Sequence, residues 1–348
     1  MSIPQKMKGV QLVGHGGVEQ LVINPSINTP HPADDEVLIK VLAAAVNNTD
    51  INTRIGWYSK SKGDSSDASW SGSALQFPRI QGADVCGMIV AVGKNVDASR
   101  IGDRVLVEPC ITRFNGQDLA QPYYFGSECD GGFAQYTVVD SKHAYAVKSS
   151  LTDVELASFP CSYSTAENML TRANVCATDT VLISGASGGV GSAAVQLAKA
   201  RGAKIIAICG SEKKDQLLGY GADEVIARGA NLVDSLGENS VDVVIDLVAG
   251  KQWPEFLQLL KPKGRYAVAG AIGGAHVELD VRSLYLKDLS FFGCTVLEPQ
   301  VFENLVTHIE QQNIRPMVSQ WYLLDDIAGA QQRFLEKGHV GKIVLVIP

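Results

Sequence analysis

Two apolar rhythms run along the chain, and the change from one to the other divides it. In the first part the apolar residues form short runs broken by Gly, Asp and Asn, which marks strands and turns. Val37 to Val46 is such a run, and Val85 to Val92, Arg104 to Val107 and Phe133 to Val139 continue the pattern. From Ala157 onward, apolar runs at Val181–Ile183, Ile205–Ile208, Val243–Ile245, Tyr266–Ala269 and Leu289–Phe292 are separated by helix-length segments. Strands alternating with helices predict an α/β fold with a doubly wound parallel sheet. Trp253 to Leu260 reads as one covering helix, stopped by Pro262 and Gly264. The tail carries helices from Val301 to Gln311 and from Ile327 to Lys337, an apolar pair Tyr322–Leu323 between them, and a last strand from Lys342 to Ile347. It does not extend the alternation, so it is expected to fold back on the first part. The predicted units are residues 1–156, 157–297 and 298–348.

The most informative stretch is Val181 to Gly202, VLISGASGGVGSAAVQLAKARG. An apolar strand runs into a glycine cluster that opens a helix, whose Val190, Ala193, Ala194, Leu197 and Ala198 fall at helical spacing. Such a turn can place the pyrophosphate of a dinucleotide on the free amides of a helix N-terminus. Gly188 lets the backbone approach the phosphates, and Gly191 lets the helix pack on the strand. Ser187, Gly188, Gly189 and Val190 are the expected pyrophosphate contacts. Ala186 stands where the strict glycine fingerprint has its first glycine.

The next strand, Lys204 to Cys209, ends about twenty residues after the glycines, where a βαβ unit returns. A free ribose 2′-hydroxyl usually meets an Asp or Glu at that strand end. Here Gly210, Ser211, Glu212, Lys213 and Lys214 follow. A small turn with a hydroxyl and two ammonium groups suits a 2′-phosphate, with only Glu212 against it. The expected cofactor is therefore NADPH, with Gly210, Ser211 and Lys213 at the phosphate and Lys214 as the alternative. Val248, Gly270 and Ala271 follow later strands, at the sheet edge where the nicotinamide half binds.

Length and composition narrow the class. A chain of 348 residues exceeds one ordinary core and implies two domains. With 30 basic against 37 acidic side chains and no clustered Lys/Arg stripe, it lacks the footprint of a nucleic-acid binder. No apolar run reaches the length of a membrane span, and MSIPQKMKGV has no signal-peptide core. The seven cysteines are scattered and never spaced C-x-x-C, which fits reduced thiols in a cytoplasmic protein. Between Tyr58 and Phe77 a Ser/Gly/Asp-rich stretch with one Trp70 reads as a surface loop, either a tolerated insertion or a substrate lid.

Several short motifs share an order and spacing: NNTD at Asn47–Asp50, GADVCGMIVAVG at Gly82–Gly93, GDRV at Gly102–Val105, DGGFAQY at Asp130–Tyr136, Ser164–Ala166, GAD at Gly221–Asp223, VDVVID at Val241–Asp246 and GKIVL at Gly341–Leu345. Together with the glycine turn they make the chain resemble the medium-chain dehydrogenase/reductase superfamily, in its quinone oxidoreductase and enoyl-reductase-like branch. The resemblance implies a GroES-like, partly open β-barrel catalytic domain around a central Rossmann domain, with cofactor and substrate in the cleft between them. It also implies a homodimer, for which the last strand of the Rossmann sheet, near Phe291 to Val296, offers an edge. Thr165 resembles the residue that packs the nicotinamide.

Zinc-dependent alcohol dehydrogenases of this superfamily carry a Cys in the segment of Asn47–Asp50 and a His in the segment of Gly82–Asp84. Asn47 and Ala83 stand at those places here, and Cys161 alone falls at the third. An amide and a methyl supply no zinc ligand, so no metal is expected. The alternative is a rearranged zinc site from Cys161, Asp84 and Asp50 in an alcohol dehydrogenase. A third reading is a dinucleotide-binding protein without catalysis. Without a Lewis acid, an enone, enal or quinone is the easier acceptor, because hydride addition moves charge onto a carbonyl oxygen that needs only hydrogen-bond donors. Asn47 and Tyr58 are the expected donors, and Thr49 stands where alcohol-oxidising relatives use a relay hydroxyl. The departure of Asn52 from the tyrosine usual there in quinone reductases leaves quinone specificity open.

Overall fold

The structure, a computed structural model, describes residues 3–59, 68–71 and 74–348. The chain runs through β1 (Lys6–Leu12), β2 (Leu21–Asn28), β3 (Glu36–Val46), α1 (Asn48–Arg54), β4 (Arg79–Ile80), β5 (Asp84–Val92), β6 (Arg104–Val107), β7 (Cys110–Phe114), β8 (Gln117–Tyr124), β9 (Tyr136–Asp140), β10 (Ala144–Ala146), α2 (Asp153–Leu156) and α3 (Pro160–Arg172). The α/β alternation follows as β11 (Thr180–Ile183), α4 (Gly189–Ala200), β12 (Lys204–Cys209), α5 (Lys214–Gly219), β13 (Glu224–Ala227), α6 (Leu232–Leu236), β14 (Val241–Asp246), α7 (Trp253–Leu259), β15 (Leu260–Val268), α8 (Val281–Leu286), β16 (Ser290–Gly293) and α9 (Val301–Glu310). β17 (Val318–Leu323), α10 (Ile327–Leu335) and β18 (Lys342–Val346) close it. Among the described residues no helix is long and apolar enough to cross a membrane.

Contacts divide the chain into two units. One holds residues up to Cys161 with 316–338 and 342–348, and the other holds 162–315 with 339–341. The tail therefore leaves the second unit at Pro316 rather than at residue 298. The reason is local. α9 buries Val301, Phe302, Leu305, Val306 and Ile309 as one apolar face, and Arg315 is pinned beyond it. The Arg315 carbonyl accepts from the Tyr163 hydroxyl at 2.6 Å, and its N–H donates to Gln196 Oε1 at 2.8 Å.

In the first unit β3 is the organising strand. It pairs with β5, β9 and β18, all antiparallel, within the order β10-β6-β5-β3-β18-β17. Nearly every β3 residue is buried, which explains its continuous apolar run instead of an alternating one. Val37, Ile39, Val41, Val85, Ile89, Phe133 and Ile343 lie in this core. The β7–β8 hairpin turns at Asn115-Gly116, both at positive φ. That pair is a strong hairpin signal which the strand reading above passes over.

The second unit is a six-stranded parallel sheet in the order β13-β12-β11-β14-β15-β16. The order reverses between β11 and β14, and ligands of such sheets bind beyond the strand ends at that reversal. β15 starts at Leu260, six residues before the predicted Tyr266. Pro262 and Gly264 do not stop it, because the pairing register jumps there from Val241–Leu260 to Val243–Arg265. Within that irregularity a missing N–H breaks no ladder bond.

Candidate functional site

The expected nucleotide-binding half is built by the turn after β11. Gly185 turns the chain at φ +58°, and Gly188 caps α4 in extended conformation. The first intrahelical bond is Ser192 N–H to the Gly188 carbonyl at 2.9 Å. The amides of Gly189, Val190 and Gly191 precede it and lie on the positive end of a twelve-residue helix. The two glycines assigned separate roles differ in surroundings. A Cβ at Gly188 would meet only the Gly185 oxygen, at 3.5 Å, whereas one at Gly191 would overlap that oxygen and lie 2.6 Å from Ala186 Cα. Gly191 is thus demanded by packing. Gly188 is not demanded by packing, which fits a place kept open for phosphate.

Of the other expected contacts, the structure places Ser187 and Val248 at this turn. The Ser187 carbonyl accepts from Gly341 N–H at 3.2 Å. Val248 follows β14 with its side chain against the Gly185 turn, and Gly270 and Ala271 follow β15. Asp246 is structural. Its carboxylate accepts from Ser184 Oγ at 2.5 Å, from Tyr266 Oη at 2.6 Å and from the Val248 and Ala249 amides. Thr165 is half-buried on α3, amid fully buried neighbours.

At the end of β12 one assignment changes. Lys213 is buried and donates to the His339 carbonyl at 3.1 Å, so its ammonium is turned inward rather than held out to a 2′-phosphate. Ser211 and Lys214 are exposed there, and the Glu212 carboxylate folds back to within 2.6 Å of where a Gly210 Cβ would sit. A residue missed from the sequence joins them. Arg228 follows β13, whose Ala227 pairs with Cys209, and its N–H donates to the Cys209 carbonyl at 2.7 Å. Its exposed guanidinium helps to hold down a Cys209 thiol that burial and Glu212 push up. Parallel pairing of β12 with the short EVIA run would have found it.

In the first unit the groups around α1 form two sets. Asn47 caps the helix, and its N–H donates to Asp50 Oδ2 at 2.7 Å, one half of a capping box. Its side-chain amide donates to Ala45 O at 3.2 Å and to Asp84 Oδ2 at 2.9 Å, and its oxygen accepts from the Lys342 ammonium. Both amide protons are committed inside the protein, so the expected polarising role does not fall to Asn47. The second set is Thr49 and Tyr58, both half-buried, with the Tyr58 hydroxyl donating to Thr49 Oγ1 at 3.3 Å. Burial raises the Tyr58 phenol, and Thr49 and Asn52 partly offset it through hydrogen bonds. The phenol therefore stays a donor at neutral pH.

Tyr124, at the end of β8, was also missed. Its hydroxyl lies 3.0 Å from Cys161 Sγ, and its ring packs 5.3 Å from Trp70. Ala83, Tyr124 and Cys161 form a small apolar cluster against which Trp70 rests. Of the stretch read as a loop or lid, residues 60–67 and 72–73 lie outside the described residues. Burial pushes the Cys161 thiol up to about 12, with the Asp84 carboxylate adding to the shift. Burial likewise raises Tyr124, with Cys161 contributing.

These residues do not fit a zinc ion. Ala83 offers only a methyl, and the Asn47 oxygen already faces an ammonium. That ammonium also sits 2.7 Å from Asp84, the carboxylate a rearranged site would need. Among the described residues no group of three His, Cys, Asp or Glu is arranged to hold a metal ion.

Comparison with known proteins agrees with this architecture. A model described as alcohol dehydrogenase GroES-like domain matches residues 33–149, and one described as zinc-binding dehydrogenase matches 189–311. The chain is 31% identical to a quinone oxidoreductase of Homo sapiens over all of both chains. It is 30% identical to an acryloyl-coenzyme A reductase of Metallosphaera sedula, over 97% of this chain and 99% of the other. A solved structure assigned as an alcohol dehydrogenase of Sinorhizobium meliloti superposes with a TM-score of 0.92 at 45% identity, over 99% of this chain and 98% of the other. With a GroES-like unit, a parallel nucleotide-binding sheet and full-length oxidoreductase relatives, the chain belongs to the medium-chain dehydrogenase/reductase superfamily.

Proposed function

We propose that this oxidoreductase reduces activated carbon–carbon double bonds, in enones or enals, or quinones, by hydride transfer from NADPH without a metal ion. The observation that carries this reading is the ammonium of Lys342 beside Asn47 and Asp84, where a Lewis acid would have to be held. When bound, NADPH supplies the hydride. The α4 N-terminus with Ser187, Gly188, Gly189 and Val190 holds its pyrophosphate. Ser211, Lys214 and Arg228 hold the 2′-phosphate, whose charge favours two exposed cations over the single Glu212 carboxylate.

On the acceptor side the Tyr58 O–H turns from Thr49 Oγ1 to the carbonyl oxygen as charge develops there, and the Thr49 hydroxyl then donates to the phenol oxygen and orients it. Solvent supplies the remaining proton. The relatives named for quinones and for acryloyl-coenzyme A share this bond class, a double bond conjugated to a carbonyl. The seven cysteines are scattered and never spaced C-x-x-C, which accords with a reducing compartment such as the cytoplasm. A homodimer is part of the proposal. Among the described residues β16 pairs with β15 alone; it presents Phe291 at 37% exposure, and Tyr285 and Leu286 on the preceding helix are 59% and 71% exposed.

The test follows NADPH oxidation against a panel of enones, enals and quinones, using chelator-treated protein and its Y58F variant. Turnover that survives chelation and falls about tenfold or more in Y58F is expected. No turnover with any acceptor, or a Y58F rate within about twofold of wild type, sinks the reading.

A further inference from the structure

Lys342 opens β18, and its side chain is sealed inside the first unit, 2% exposed against an Asp84 that is 0% exposed. A buried ion pair contributes little net stability compared with apolar packing of the same volume. What this pair supplies is geometry. The ammonium collects oxygens from two separate stretches of chain: Asn47 at the start of α1 and Asp84 at the start of β5. Through the other Asp84 oxygen it reaches a third, the Cys161 N–H on α3, at 2.5 Å. Through Asn47 it ties the first two stretches a second time, because Asp50 accepts from both Asn47 N–H at 2.7 Å and Gly82 N–H at 3.2 Å. Those stretches also carry Thr49, Ala83 and Cys161. Drawing oxygens from distant segments to one point is what a bound metal ion does in other proteins. An ammonium with three donors can do the same.

We propose that Lys342 is the resident cation of the catalytic unit, a positioning residue that holds Asn47, Asp84 and the first turn of α1 where Thr49 and Tyr58 need them, in place of a divalent metal. The inference rests on the reductase reading above. Its physical content is that the ammonium turns the Asn47 oxygen inward and so spends the amide on Asp84 and Ala45. It also places a positive charge where a divalent ion would be repelled.

The test compares wild type, K342R, K342M and D84N/K342M after chelation, with NADPH and either cyclohexenone or benzoquinone. Lys342→Met is expected to lower kcat about tenfold to a hundredfold, the scale of a misplaced reacting group, with KM for the acceptor within about twofold. Lys342→Arg keeps a cation and restores most of kcat. The double variant removes both buried charges, so it melts close to wild type yet keeps the low kcat. A K342M kcat within about twofold of wild type overturns the proposal. So does recovery of kcat in D84N/K342M, or uptake of one equivalent of zinc by wild type with a gain in kcat. If wild type turns over neither acceptor, the reductase reading alone fails, and positioning is read from amide exchange. K342M then speeds exchange at Asn47, Gly82 and Cys161 while K342R does not; unchanged exchange in K342M overturns the inference.

Discussion

Replacing Gly188 and Gly191 separately by alanine should split cofactor binding from folding within one turn of chain. At Gly188 the backbone has φ −74° and ψ 173°, which alanine adopts without strain, and the new methyl meets only the Gly185 oxygen at 3.5 Å. Alanine is a poorer helix cap than glycine by about 0.5–1 kcal/mol, and restricting the unfolded chain returns about 0.4–1 kcal/mol. The two nearly cancel. Stability of G188A should stay within about 0.5 kcal/mol of wild type. The methyl nevertheless stands where a phosphate oxygen approaches the α4 amides. Losing one charge-assisted hydrogen bond of about 1.5–3 kcal/mol weakens NADPH binding about tenfold to a hundredfold.

Gly191 behaves in the opposite way. Its added Cβ would overlap the Gly185 oxygen and press on Ala186 Cα at 2.6 Å, both backbone atoms that no rotamer change can move aside. Overpacking of that kind costs about 1–3 kcal/mol. At the upper end it lowers Tm by about 4 °C in a chain of 348 residues. Urea and thermal unfolding followed by circular dichroism give the stabilities, and quenching of protein fluorescence on titration with NADPH gives Kd. A G188A protein that binds NADPH as wild type does, or a G191A protein that melts with wild type, refutes the division of roles.

Three further outcomes are expected. Arg228→Ala should raise KM for NADPH about tenfold while leaving that for NADH within about twofold, because only the 2′-phosphate meets the guanidinium; equal losses for both cofactors would falsify the assignment. Burial, with Asp84 beside it, raises Asp50 from 3.8 to about 7, so between those values the folded state binds the proton that the unfolded chain releases. Stability from this group is full below about pH 4 and is lost as pH rises through 7; in D50N, which loses a cap interaction in any case, urea unfolding from pH 5 to 8 should show a flatter slope than wild type. Phe291→Glu with Leu286→Glu should convert a dimer to a monomer in sedimentation while the circular dichroism spectrum is kept, and an unchanged sedimentation coefficient would remove this edge from consideration.

The reach of sequence differed between the two units, for a physical reason. The glycine turn, the parallel strands and their helices were legible because each is a local pattern: apolar runs, helical spacing and glycines where no side chain fits. Gly191 illustrates this, since the atoms that exclude its Cβ lie five and six residues away in the same turn. Arg228 was not legible without the pairing of β13 with β12, and Lys213 looked available because nothing nearby in sequence announces the His339 carbonyl that takes its ammonium.

The first unit is assembled by long-range pairing, and there sequence supplied residue types but not their employment. Asn47, Asp84 and Lys342 are spread over nearly the whole chain, and the antiparallel pairing of β3 with β5 and β18 makes them neighbours, to which the Cys161 N–H is tied through Asp84. Sequence by itself determined which chemical groups were present, Asn47 and Ala83 among them. Only the tertiary structure decided that the Asn47 amide is spent inward, that Tyr124 faces Cys161, and that a lysine sits at the centre of the cluster. A hydrogen bond depends on where two distant segments meet, and that is decided by the packing of the whole core.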